Sequence, residues 1–262
     1  MLSGQTPARV WNTRRTEKQR RLASIPVQGK VLPTADLTAM LEKLIAPGDR
    51  VVLEGNNQKQ ADFLSRMLAE VNPQIVHDLH MIMPSVGRSE HLDIFEKGIA
   101  RKLDFSFSGT QSLRISQLLE DGLLEIGAIH TYIELYSRLY VDLSPNVALI
   151  AGFKADRKGN LYIPEPVPKI PLRWWRPPRS TTVSSSLRLN ELVDDECDLP
   201  RVDIPGSWID YVVVADKPFF IEPLFTRDPR LIKQEHILMA MMAIKGIYAE
   251  HQVQSLQPRY RF

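Results

Sequence analysis

Between the apolar stretch 51–53 and the helical pattern after it lies a polar run, Glu54, Gly55, Asn56, Asn57 and Gln58. In an open α/β sheet a strand ending there delivers the loop to the edge where such sheets bind ligands, with free backbone amides facing an anion. Gly55, Asn56, Asn57 and Gln58 are therefore candidate substrate-binding residues, the side-chain amides donating to a carboxylate or other carbonyl oxygen. The same run also reads as a polar helix start with Asn as its cap. His130 follows the apolar stretch that ends at Ile129, again at a strand end, and is either a hydrogen-bonded structural histidine or a base in the site. Glu222, apolar-flanked in IEPLF, is a candidate buried functional carboxylate, or a strand-end glutamate paired with Arg227. His77 and His80 are expected to share a face of one strand, but with no Cys or third His nearby they argue against a metal site. No GxGxxG pattern is present, so dinucleotide binding gains no support.

These residues need elements to place them. From 34 to 150 helical periodicity alternates with short apolar runs, the signature of an α/β domain with an open, largely parallel sheet and flanking helices. Thr34 or Asp36 is expected to cap a helix carrying Leu37, Met40, Leu41 and Leu44, ahead of a strand at 51–53. A helix from Asn57, a strand at 75–83, a helix capped by Ser89, a strand at 103–107 and a helix with Leu113, Leu118 and Leu119 continue the alternation. Then come a strand at 124–129, a helix at 131–139 and a strand at 147–153 before a turn at 156–160. The stretch 163–189 differs: it holds Pro164, Pro166, Pro168, Pro171, Pro177 and Pro178, has no period, and is expected to be irregular. A strand at 209–214 and a helix at 229–249 follow, the latter with Met239, Met241 and Met242 read as packing rather than ligands.

With 262 residues, 44% hydrophobic and 24% charged, the chain has the balance of a globular protein. The lone Cys197 forms no intrachain disulfide, and no signal-peptide pattern or membrane-length apolar run is present, so the expected setting is the cytoplasm. A net charge of +2 gives no reason to expect nucleic acid. The local basic tract Arg14, Arg15, Lys18, Arg20 and Arg21 is either a solvated face or a surface for an acidic partner.

Several strings carry a resemblance: WNTRR from Trp11, LEGNNQKQADFL from Leu53, EHLDIFEKGIA from Glu90, GAIHTYIELY from Gly127, LPRVDIPGSW from Leu199, and IEPLFTRDP followed by MAMMAIKGIY. In order and across nearly the whole chain except 163–189 and the last few residues, they resemble the α subunit of biotin-independent malonate decarboxylases, specifically its N-terminal part. The resemblance implies a coenzyme A transferase-like fold and a transferase that moves an acyl carrier protein from acetate to malonate. It also implies partners: the acyl carrier protein subunit, the decarboxylase subunits of the same complex, and malonate, with no nucleic acid and no membrane. No cofactor is expected on this chain; the group acted on is the carrier's dephospho-coenzyme A-derived prosthetic group. The resemblance does not supply catalytic residues here, because in related coenzyme A transferases the catalytic glutamate lies in the other half.

The same resemblance accounts for the odd stretch by a change of reading frame. Read one frame over, Trp174 and Trp175 give valine second, Ser184, Ser185 and Ser186 encoded as TCN give apolar codons, and the whole becomes TGASTEDTPAVVEATAFHDGIVIAQV, joining Asn190 as the family's AQVNELV. Its run IVIAQV reads as a buried strand. The last residues, 257–262, re-read as NHGIGF, which continues the family pattern. The domain expectation is thus a basic extension over 1–33, an α/β domain over 34–256 interrupted by irregular 163–189, an out-of-frame tail over 257–262, and an absent C-terminal domain. A buried central strand between 164 and 187 would count against the frame account. The alternative to the enzyme reading is an inactive remnant that at most binds partner subunits.

Overall fold

The computed structural model describes residues 16–17, 19–25, 29–56, 59–163, 184–189, 191–215 and 232–253. Eight strands form one sheet in which every neighbouring pair is parallel: β1 (Val31–Leu32), β2 (Arg50–Leu53), β5 (Leu79–Ser85), β6 (Ala100–Phe107), β7 (Glu125–Ile129), β8 (Val147–Ala151), β11 (Ser184–Leu189) and β13 (Tyr211–Val214). Their spatial order is β1-β13-β11-β8-β2-β5-β6-β7. A two-stranded excursion, β3 (Gly55–Asn56) with β4 (Lys59–Gln60), leaves the top of β2, and β9 (Lys154–Asp156), β10 (Leu161–Tyr162) and β12 (Glu191–Val193) form a small separate sheet. The open parallel sheet expected from the alternation is present.

The helices are α1 (Leu37–Leu44), α2 (Asp62–Leu68), α3 (Glu90–Glu96), α4 (Ser112–Glu120), α5 (Tyr132–Val141) and α6 (Gln234–Ala243). From β2 the chain steps outward through α2, β5, α3, β6, α4 and β7, then α5 carries it back across the sheet to β8. Right-handed crossovers place α2, α3 and α4 on one face and α5, which runs the other way, on the opposite face. Val52, Ile82 and Leu135 pack together beneath α5. Val51, Val52, Leu53, Met81, Ile82, Met83 and Leu149 are fully buried, as strands covered on both faces require. Each such side chain contributes about 1.5–3 kcal/mol relative to exposure.

Helix α1 buries Leu37, Met40, Leu41 and Leu44 as its spacing dictates. Neither expected cap acts as one: Asp36 makes no side-chain cap bond, and Thr34 instead donates to the Val214 carbonyl (2.8 Å), tying this helix entry to the end of β13. Helix α2 begins at Asp62, later than expected, because Gly55, Asn56, Lys59 and Gln60 are spent on the β3–β4 pair. Strand β5 starts at Leu79, so His77 lies before it; a spacing of three would in any case put the two histidines on opposite faces of a strand. Ser89 occupies the N-cap position of α3 without a side-chain cap bond, whereas Thr131 and Glu134 form a reciprocal capping box on α5.

The expectation of an irregular 163–189 fails over Ser184–Leu189. Strand β11 lies between β8 and β13, with Ser185 opposite Ala148 and Ser186 opposite both Leu149 and Tyr211. Two facing strand edges separated by one strand's width are both satisfied only by a strand between them, whatever its side chains. A central strand beginning inside 164–187 counts against the frame account as framed above. Its position is also that of IVIAQV in the re-read string, so the strand expected there exists with the residues Ser-Ser-Ser-Leu-Arg-Leu in place.

The sheet reaches into the segment expected to be an extension, since Val31 and Leu32 pair with Val212 and Val213. Contacts divide the chain into units 1–220 and 221–262. Within the second unit, α6 begins at Gln234 and runs into a π-helical turn, Ile244–Ala249. Met239, Met241 and Met242 are exposed there, at 68%, 62% and 65%, so the packing expected of them is not made within the described residues. No helix among the described residues is long and apolar enough to cross a membrane.

Candidate functional site

The chain's progress along the sheet reverses once. From β2 it runs through β5 and β6 to β7, and after α5 it resumes at β8, on the other side of β2. The adjacent strands β2 and β8 therefore lead away in opposite directions, and the crevice outside their carboxyl ends is where open α/β sheets take ligands. Glu54 stands at the end of β2 and Ala151 ends β8.

Glu54 is 4% exposed. Its backbone N–H donates to the Leu149 carbonyl (2.9 Å), its carbonyl accepts from Ala61 N–H (2.9 Å), and its carboxylate Oε2 accepts from Ala151 N–H (2.8 Å). Tyr136, on α5, is buried beside it; burial first, then the neighbouring Tyr132 and Glu54, push its hydroxyl well above the usual tyrosine range. That hydroxyl donates to Tyr132 Oη (3.0 Å), with the two rings edge to face at 4.9 Å.

Gly55 and Asn56 lie directly on this crevice as β3, paired with Gln60 and Lys59. Asn57, Gln58 and Glu222, with Arg227, lie outside the described residues. His130 belongs to a different cluster: its Nε2 lies 2.7 Å from Asp104 Oδ1, while His80 Nε2 bonds the other oxygen, Oδ2. Burial alone would raise the Asp104 carboxyl, but the two imidazoles outweigh it and hold the group below the usual aspartate range. His130 Nδ1 faces Glu134 Oε1 at 3.8 Å, at the start of α5. His77 pairs instead with Asp78 (2.8 Å). Among the described residues no group of three or more His, Cys, Asp and Glu is placed to hold a metal ion.

Of the basic tract, Arg14, Arg15 and Lys18 lie outside the described residues. Arg20 bonds Glu17 on the surface, but Arg21 is engaged by the buried Asp49 and by the Leu44 carbonyl (3.2 Å), so it belongs to the fold and is not a solvated face. Sequence reasoning named the loop after β2 with Glu54 at its head but gave that carboxylate no role in shaping it; it also missed Asp104. The available signal for Asp104 was an acid set inside the apolar strand LDFSF.

The profile described as malonate decarboxylase, alpha subunit, transporter matches residues 10–260. The chain belongs to this family. It is 43% identical over 257 residues to the acetyl-S-ACP:malonate ACP transferase of Malonomonas rubra, covering 95% of this chain and 45% of that protein. The alpha chain of this family finds its structural likeness in a Pseudomonas malonate decarboxylase hetero-tetramer in complex with malonate: TM-score 0.80, 67% identity, 95% of this chain and 45% of that one. The chain thus spans less than half the length of these malonate decarboxylase relatives. Glutaconate coenzyme A-transferase from Acidaminococcus fermentans is similar in fold, with TM-score 0.57 at 15% identity over 71% of this chain and 75% of that one, so the coenzyme A transferase-like architecture is established.

Proposed function

We propose that this chain serves acyl carrier protein transfer in a malonate decarboxylase: acetyl-thioester carrier plus malonate gives malonyl-thioester carrier plus acetate. The carrying observation is the family match over residues 10–260, together with the identity to a protein named for this transfer. In the exchange the thioester C–S bond to acetyl breaks and one to malonyl forms, while an oxygen of malonate leaves in acetate. The β2–β8 crevice supports it, because the edge where the strand order reverses is where open α/β sheets take ligands. The partners in this reading are the carrier protein, bearing a dephospho-coenzyme A-derived group, and decarboxylase subunits in the cytoplasm. A relative found as a hetero-tetramer with malonate supports that assembly.

The span of 45% of the relatives favours a second reading, in which the chain alone binds partner subunits without turnover. Both are tested by mass spectrometry of the carrier after incubation of acetyl carrier and malonate with this chain and, in parallel, with a full-length relative. Malonyl carrier formed by the relative alone supports the second reading. Comparable turnover by both makes this chain a self-sufficient enzyme, and a carrier left acetylated by both overturns the transfer reading.

A further inference from the structure

At the switch point the sheet's hydrogen-bond ladder is broken and remade by one side chain. Glu54 N–H still makes its rung to Leu149 O (2.9 Å). The next rung of a parallel pair would run from Ala151 N–H to the Glu54 carbonyl. That carbonyl is turned away to accept from Ala61 N–H (2.9 Å), which closes the neck of the excursion that carries Gly55, Asn56, Lys59 and Gln60. Ala151 N–H instead meets the Glu54 carboxylate, Oε2, at 2.8 Å.

We propose that Glu54 is the positioning residue of the crevice: its carboxylate replaces the rung that its carbonyl gives up, and so holds β3 and β4 out of the sheet at the mouth of the ligand edge. A carboxyl group this deeply buried needs a hydrogen-bond partner, and here the bond from Ala151 N–H has a defined geometric purpose. The identity of the ligand rests on the transferase reading above; the positioning role does not, and its test needs no turnover.

The experiment is residue-resolved amide hydrogen exchange on the whole chain, comparing wild type, Glu54→Gln and Glu54→Ala. Glutamine keeps an acceptor of the same reach, whereas alanine has none. In Glu54→Ala, exchange at Ala151 and Ala61 is expected to quicken roughly tenfold or more, with Met81 and Leu103 unchanged. Glu54→Gln should stay within about threefold of wild type at both positions. Unaltered protection of Ala151 and Ala61 in the alanine variant overturns the proposal, as does uniform acceleration across the sheet. If the alanine variant fails to fold, the glutamine variant decides: protected Ala151 upholds the acceptor role, and an exposed one removes it.

Discussion

His91 is fully buried on α3, and among the described residues neither ring nitrogen has a hydrogen-bond partner. Burial pulls its pKa from 6.5 down to about 4; Asp62, Glu90 and Asp93 pull upward and Arg88 downward, without reversing this. A histidine depressed in the folded state is protonated first in the unfolded chain, so stability falls as pH drops from 6.5 toward 4 and levels below that. The loss is on the order of 3 kcal/mol. His91→Leu should flatten the dependence of the urea midpoint on pH across this window; an unchanged slope would show that another group titrates there. Asp104, held low, acts at the acid end: its contribution is present above its unfolded value and lost as pH falls through its lower folded one. Its carboxylate occupies space that only glycine leaves, since a Cβ at Gly127 would sit 2.2 Å from Asp104 Oδ2. Gly127→Ala should therefore cost about 1–3 kcal/mol by displacing the carboxylate from its two imidazoles. In an Asp104→Ser background the same change should cost much less. Equal costs in both backgrounds would place the strain elsewhere.

At the scale of elements, β11 shows where sequence and fold part company. Every other long strand of the sheet declared itself by apolar runs, and the helices by positions such as Leu37, Met40, Leu41 and Leu44. Ser184–Leu189 carries neither signal; its strand is imposed by the edges of β8 and β13, which no local pattern reports. The same blindness moved the start of α2, because the β3–β4 excursion is set by a carbonyl rotated toward Ala61, a choice invisible in EGNNQKQ. Likewise, the loop of the crevice was legible in Asn56 and its neighbours, while the pairing of Glu54 with Ala151, 97 residues away, was not. Apolar β-branched residues fit a strand between two covered neighbours far better than serine. The triple change Ser184→Ile, Ser185→Val, Ser186→Ile should thus raise stability by roughly 2 kcal/mol or more. The check is the urea midpoint, and a midpoint equal to or below the parent's would show that this slot does not select for apolar residues.

For the whole molecule, the reversal of the strand order has a consequence in time. β2, β5, β6 and β7 pair in the sequence in which they are made, each within a short loop of the last, whereas the other edge of β2 must await β8. The two strands meet across a separation such as Arg50 to Asn146, 96 residues. Contacts that close long loops form late, so the β2, β5, β6 and β7 half of the sheet should assemble before β2 and β8 pair. Pulse-labelled exchange during refolding should find Met81 and Leu103 protected before Leu149; simultaneous protection would show that the sheet forms in one step. While it waits, β2 offers a bare, apolar edge to any other chain in the same state, and refolding yield should decline as concentration rises. The very pairing that makes a crevice in the finished protein is thus left open, and exposed to error, while half of the sheet is already built in the unfinished one.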